Sequence, residues 1–359
     1  MASQENLSGV ENRTSTSEER LATIWRRVLP RSPSQSEDNF FELGGDPWLA
    51  IELFNEIERV FGRTLPPLLI YTAPTIASLA ALLEDPAPPS FPPCVKLKAG
   101  TEGAPAFLTH GLGGNILEFF ELVRCIRSPR AIYGLQARGM DGIEEPFSSI
   151  EEMAQYYLDA IRTIQTHGPY ILIGYSLGGL VTFEMARRLS LAGESIALLS
   201  MIDSYPDLRF VPIGQRLRAD YRTARNHISN LTQMPFLVAL SYSLHASRRM
   251  EHSLRMQSKA DGGRPPLGVA FTPAMERVRE FAEVALRRYK PRCYHGTVKF
   301  VRAARSLHFP DDPAEIWTNL VDAFDVQSVP GDHHQILTTQ YESLAAVVSR
   351  YLDELPTSD

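Results

Sequence analysis

Cysteine is scarce in this 359-residue chain: Cys94, Cys125 and Cys293 are dispersed and odd in number. Such a set argues against a disulfide framework and fits a reducing compartment. No CxxC pair or clustered Cys/His spacing suggests a metal. Long apolar runs are lacking too, and none approaches the ~20 residues of a membrane helix. The N-terminus is polar, without the charged-then-apolar pattern of a signal peptide. There is no long basic run and the formal net charge is −6, so neither nucleic acid nor membrane is an expected partner. These absences lead to the expectation of a cytoplasmic protein. What is present is a chain 44% hydrophobic and 22% charged, a globular composition, long enough for two domains.

Residues 1–16 are rich in Ser, Asn, Glu and Thr and are expected to be mobile. Thr16 and Glu19 then have capping-box spacing, and Leu21, Ile24, Trp25 and Val28 follow at helical intervals. Leu53, Phe54, Ile57 and Phe61 make a second amphipathic helix, stopped by Gly62. Thr75 can cap a last helix carrying Ile76, Leu79 and Leu83. Residues 17–84 therefore read as a small all-α bundle. Five prolines between Pro86 and Pro93 make residues 85–94 an extended linker.

Beyond it, short apolar runs alternate with helical stretches. Strands are predicted at 106–110, 131–135, 170–174, 196–202, 297–303 and 325–330. Helices are predicted near 115–126, 149–166, 178–192 and 341–354. That alternation predicts a mostly parallel sheet with helices on both faces over 95–355. From about Tyr205 to Tyr294 the rhythm breaks into a helical, irregular insertion.

The sharpest motif lies in "YILIGYSLGGL". A buried strand runs into Gly174-Tyr175-Ser176-Leu177-Gly178, and a helix begins at once. This is the G-x-S-x-G elbow, which puts a serine nucleophile at a helix N-terminus. The glycines are needed because larger side chains would collide with neighbouring elements. A plain Gly-rich turn is the competing explanation.

A serine hydroxyl needs a base, and the base needs an acid to orient it, in the chain order Ser, acid, His. His110 and His167 precede the serine. His227, His245 and His252 lie in the insertion, and His295 and His308 flank a strand. His333 and His334 follow the final strand in "SVPGDHHQIL", at the sheet's carboxyl edge. For the acid, Asp203 ends the strand after the elbow unit. Asp311 and Asp312 follow the next strand in "HFPDDP", a stretch that suits plain turn residues. Asp203 is favoured because the sheet would fix it. Oxyanion donors are expected from the Leu177 N–H and, in the Gly-rich "HGLGGN" loop, the Leu112 N–H.

"GPYILIGYSLGGLVTFEMARRLSLAGE", "LLSMIDSYP" and "GDHHQIL" together resemble the thioesterase domains that end nonribosomal peptide and polyketide synthases. The resemblance implies an α/β-hydrolase fold with a helical lid between acid and histidine, here about 205–294. It places the acid after the strand that follows the elbow, which supports Asp203. Its histidine frame has glycine two before and an apolar residue three after; Gly331 and Ile336 fit His333, leaving His334 as its outward neighbour.

"DNFFELGGD" and "TAPTIASLAALL" make residues 17–84 similar to the carrier domain that precedes such thioesterases. A carrier presents a serine to phosphopantetheine after Gly-Gly-Asp; this chain has Pro47 there. Proline suits the first helical position after the Asp46 cap, so the fold is expected to survive. It has no hydroxyl to esterify. A degenerate carrier kept for docking, a relic, and an engineered replacement or sequence error all remain open.

The resemblance implies a serine thioesterase that releases an acyl, peptidyl or polyketide chain by hydrolysis or cyclisation in secondary-metabolite biosynthesis. No cofactor is expected on this chain; the 4′-phosphopantetheine arm is expected on a substrate-bearing carrier or synthase in trans. The alternatives are an editing thioesterase that clears misloaded carriers and a non-catalytic docking protein of a synthase.

Overall fold

The computed structural model describes residues 16–63, 65–86, 91–211, 213–214, 217–218, 273–305 and 312–356. The expectations for residues 1–15, for most of the lid and for Asp311 lie outside these. The chain divides into two compact units near residue 90.

The first unit holds helices α1 (Ser17–Val28), α2 (Pro47–Phe61) and α3 (Ile76–Glu84). The Thr16 hydroxyl accepts from the Glu19 N–H while the Glu19 carboxylate accepts from the Thr16 N–H, closing the capping box. Leu21, Ile24, Trp25, Leu53, Phe54, Ile57 and Leu79 are buried, and Trp25 meets Phe40 edge to face at 5.7 Å. Both glycines of "GGD" have steric reasons. Gly44 turns at φ 90°, and a Cβ on Gly45 would lie 2.3 Å from the Phe40 ring. A short 3₁₀ turn, Pro67–Tyr71, was not read from the sequence.

In the second unit the described residues form a seven-stranded sheet, ordered β1-β3-β2-β4-β5-β6-β7. The strands are β1 (Cys94–Lys98), β2 (Ala106–Thr109), β3 (Ile132–Leu135), β4 (Tyr170–Tyr175), β5 (Ile196–Ile202), β6 (Tyr294–Ala303) and β7 (Val321–Val329). All neighbours pair parallel except β1, which runs antiparallel to β3. β1 begins inside the stretch read as linker. Its "CVKLK" alternates charge into an edge strand and carries no apolar run.

Along β4, Tyr170 and Leu172 enter one core layer while Ile171 and Ile173 enter the other. This two-residue alternation, apolar on both faces, marks a strand covered on both sides. Helices α5 (Ile150–Arg162), α6 (Leu177–Leu191) and α7 (Pro273–Arg288) contribute to the first layer. Helices α4 (Phe120–Cys125) and α8 (Tyr341–Asp353) contribute to the second. The predicted helix near 115–126 is a 3₁₀ turn, Leu117–Phe119, continued by α4. Tyr294, read as the end of the insertion, already belongs to β6.

Arg130 is 2% exposed and donates to the carbonyls of Ala104, Leu355 and Pro356, fastening the C-terminal segment to the sheet's edge loops. Removing it strands three acceptors and opens a cavity. Arg130→Ala is expected to cost about 3 kcal/mol, read as a lower urea midpoint at unchanged m-value. An unshifted midpoint would contradict this.

Candidate active site

The elbow is built by collision. A Cβ on Gly174 would lie 2.3 Å from the Gly178 carbonyl oxygen, and one on Gly178 would lie 2.3 Å from that of His110. Between them Ser176 is forced to φ 54° and ψ −119°, a conformation costing roughly 1–3 kcal/mol. Its N–H donates to the Ile202 carbonyl at 2.9 Å, and its carbonyl accepts from the Ser204 hydroxyl at 2.7 Å. Ser176 stands at the N-cap of α6, yet its side chain caps nothing.

That hydroxyl instead meets His333: Ser176 Oγ lies 3.0 Å from His333 Nε2. His333 Nδ1 lies 2.8 Å from Asp203 Oδ2. A carboxylate only accepts, so Nδ1 carries the proton and Nε2 is left to accept from Ser176. Asp203, 3% exposed and at φ 45°, is fixed by the sheet on both sides. Its N–H donates to the Val301 carbonyl at 2.7 Å, and its Oδ1 accepts from the Ala303 N–H at 3.0 Å. The structure therefore brings Ser176, His333 and Asp203 into one hydrogen-bonded chain. Asp312, in contrast, is exposed and accepts from the Ala314 N–H, as a turn residue does. His334 is exposed, its ring 5.4 Å from that of His333.

Leu177 opens α6, where its N–H has no carbonyl one turn earlier to bond. Leu112 lies in the loop after β2, half-buried against the core.

Three residues around the site were not read as parts of it from the sequence, among them His110, which was set aside as a base because it precedes the serine. Tyr175 stacks on the His333 ring at 5.0 Å and donates its hydroxyl to the His333 carbonyl at 2.7 Å. Burial and the Glu118 carboxylate hold that hydroxyl well above its ordinary pKa, so it stays a donor. His110 is fully buried, with Nδ1 2.5 Å from the Gly111 carbonyl oxygen and Nε2 2.5 Å from the Tyr157 hydroxyl. Because the carbonyl only accepts, Nδ1 donates and the Tyr157 hydroxyl donates to Nε2. Glu118 accepts from the Gly111 N–H at 2.5 Å. A lone acid within "ILEFF" was the one hint of it in the sequence.

Burial pushes His110 down to about 4 and Glu118 up to about 7. The unfolded chain binds the His110 proton between 6.5 and about 4, so acid destabilises the fold through His110. The folded chain binds the Glu118 proton between 4.5 and about 7, so acid favours folding through Glu118. The two oppose each other. Glu118→Gln leaves His110 alone, and the variant is expected to lose roughly 2 kcal/mol between about pH 7 and about pH 5. Urea titrations showing the same pH slope for variant and wild type would contradict this.

Residues 104–353 match the family model of the thioesterase domain. Residues 19–83 match that of the phosphopantetheine attachment site. The chain is 34% identical over 223 residues to an indigoidine synthase of Dickeya dadantii (strain 3937), covering 62% of this chain and 14% of that protein. It is 30% identical over 292 residues to a malpibaldin synthetase of Mortierella alpina, covering 79% and 5%. It is 38% identical over 199 residues to a dimodular nonribosomal peptide synthase of Bacillus subtilis (strain 168), covering 55% and 8%. It thus spans a small fraction of these relatives' lengths. In fold it is similar to a four-domain nonribosomal peptide synthetase crystallised with AMP and glycine. That likeness has a TM-score of 0.55 at 24% identity, covering 99% of this chain and 27% of that one. The Vlm2 thioesterase domain bound with a dodecadepsipeptide is similar at TM-score 0.51 and 21% identity, covering 74% and 99%.

The attachment-site match meets a chemical obstacle. The Asp46 side chain caps α2 by accepting from the Leu49 N–H at 2.8 Å, and Pro47 follows as the buried first residue of the helix. A carrier attaches its arm through a serine hydroxyl, and Pro47 offers neither hydroxyl nor N–H. The residues present do not fit a covalently held phosphopantetheine. Among the described residues no helix is long and apolar enough to cross a membrane.

Proposed function

The chain belongs to the thioesterase-domain family, and from that premise we propose that it releases an acyl, peptidyl or polyketide chain from a carrier-bound thioester through Ser176. The observation that carries this reading is the continuous hydrogen-bond chain from Ser176 Oγ through His333 to Asp203. Ser176 Oγ attacks the thioester carbonyl carbon as its proton passes to His333 Nε2. Asp203, held by two backbone contacts, stabilises the imidazolium and keeps its tautomer. The Leu177 and Leu112 N–H groups face the carbonyl oxygen as it gains negative charge. The carbon–sulfur bond breaks, the thiol leaves with the proton from His333, and Ser176 holds the acyl group as an ester. Water, or a nucleophile within the acyl group, then gives its proton to His333 and attacks the ester carbonyl; the bond to Ser176 Oγ breaks, His333 returns the proton to Oγ, and an acid or a ring is released.

Pro47 supports delivery of the thioester in trans, on a separate carrier or synthase, and therefore also supports an editing role on misloaded carriers. The names of the relatives, an indigoidine synthase, a malpibaldin synthetase and a dimodular nonribosomal peptide synthase, support a place in secondary-metabolite assembly. Incubation with a broad phosphopantetheinyl transferase and coenzyme A is expected to leave the intact mass unchanged. Pro47→Ser, which restores the hydroxyl, is expected to gain one phosphopantetheine. Modification of the wild-type chain would overturn the in-trans reading.

A further inference from the structure

We propose that Glu118 is a positioning residue for acyl transfer: it holds the loop after β2 so that the Leu112 N–H faces the developing oxyanion. This rests on the acyl-transfer reading above.

The loop from His110 to Gly114 leaves the sheet at the end of β2, so its polar backbone atoms need partners of their own. Gly111 has both of its groups held from opposite sides. Its N–H donates to Glu118 Oε1 at 2.5 Å, and its carbonyl accepts from His110 Nδ1, itself backed by Tyr157. The Gly111–Leu112 peptide is planar and trans, so a fixed Gly111 carbonyl sets the opposite direction of the Leu112 N–H. Were the Gly111 N–H released, glycine's open φ/ψ space would let that plane rotate.

Two further observations tie Glu118 to the reacting groups. A Cβ on Gly111 would lie 2.9 Å from the Tyr175 ring and 3.4 Å from Glu118 Oε1, so loop, ring and carboxylate are in direct contact. Tyr175 in turn stacks on His333. Glu118 is anchored for the task, because its 3₁₀ turn buries Leu117 and Phe119 on either side. Among the described residues its carboxylate forms no salt bridge, and it accepts from the loop N–H of Gly111. A half-buried acid without a cation is costly to keep, and burial pushes it up to about 7.

The test uses the full chain, an acyl N-acetylcysteamine thioester at about pH 8, and four variants beside wild type. Glu118→Ala is expected to lower kcat by roughly 10- to 100-fold with KM within about twofold, since the loss falls on the transition state. Glu118→Gln keeps an acceptor oxygen at the same reach and is expected to recover to within about threefold of wild type. Glu118→Asp keeps the charge but shortens the reach, and is expected to fall with alanine. It also serves where alanine fails to fold, as thermal unfolding reports. Wild-type kcat in Glu118→Asp, an equal loss in Glu118→Gln, or a rise in KM at unchanged kcat would overturn the proposal. Ser176→Ala separates the two levels: its full activity would sink the acyl-transfer reading. An inactive Ser176→Ala beside an unimpaired Glu118→Ala would sink the Glu118 assignment alone.

Discussion

Ser176→Ala is expected to lower thioester turnover by roughly 10³- to 10⁶-fold and to abolish covalent capture by a fluorophosphonate. The elbow's strain is the reason that no neighbour substitutes for it. Ser176 is turned outward at φ 54° because Gly174 and Gly178 close the turn around it. The neighbouring Ser204 hydroxyl points its proton at the Ser176 carbonyl and is buried. Residual activity above the uncatalysed rate would come from the oxyanion donors and binding alone. Stopped assays on one acyl thioester, with labelling followed by intact mass, check both halves. Undiminished labelling of Ser176→Ala would place the nucleophile elsewhere.

The second large effect belongs to Asp203. Asp203→Asn is expected to cost about 10⁴-fold in kcat, while Asp312→Asn stays within about twofold. The direction follows from Ala303. Its N–H must face an oxygen, so the asparagine Oδ1 takes that place and the amide NH₂ turns toward His333. His333 Nδ1 must then accept, and its proton moves to Nε2, where it faces Ser176 Oγ. The imidazole is left unable to take the serine proton. Comparable losses in both variants, or a larger one in Asp312→Asn, would contradict the assignment of the acid.

Legibility in the sequence followed the range of the interactions. Ser176 was readable because strand, tight turn and helix are adjacent in the chain, and each glycine's reason is local. β5 was readable to the residue, because a seven-residue run, apolar except for Ser200, leads directly into Asp203. Thr16 could be named as a cap from Glu19 three residues on, Asp46 from the proline that follows it, and Thr75 from the helical pattern after it. β1 was missed because an edge strand alternating with lysines has no apolar run to betray it. The choice of His333 over His334 needed a family pattern, since two adjacent histidines look alike until the fold turns one inward. Tyr175 and His110 were unreadable as site residues because each acts through contacts across the fold, and Glu118 because its partner is a backbone N–H of a loop, which no side-chain pattern marks. The Tyr175 hydroxyl reaches a carbonyl 158 residues away, and His110 reaches Tyr157 across 47. The carrier-like unit was legible in shape and in its one chemical departure, because a proline at a helix start is a local fact.

The most direct measurement follows the acyl group itself. An acyl thioester on a separate holo-carrier is mixed with the protein, quenched in acid during turnover, digested and mapped by mass. Acyl transfer through Ser176 predicts the acyl mass on the peptide that carries "GYSLGG", absent from Ser176→Ala, with free carrier thiol released in step. Turnover that leaves no adduct on that peptide and persists in Ser176→Ala would contradict it.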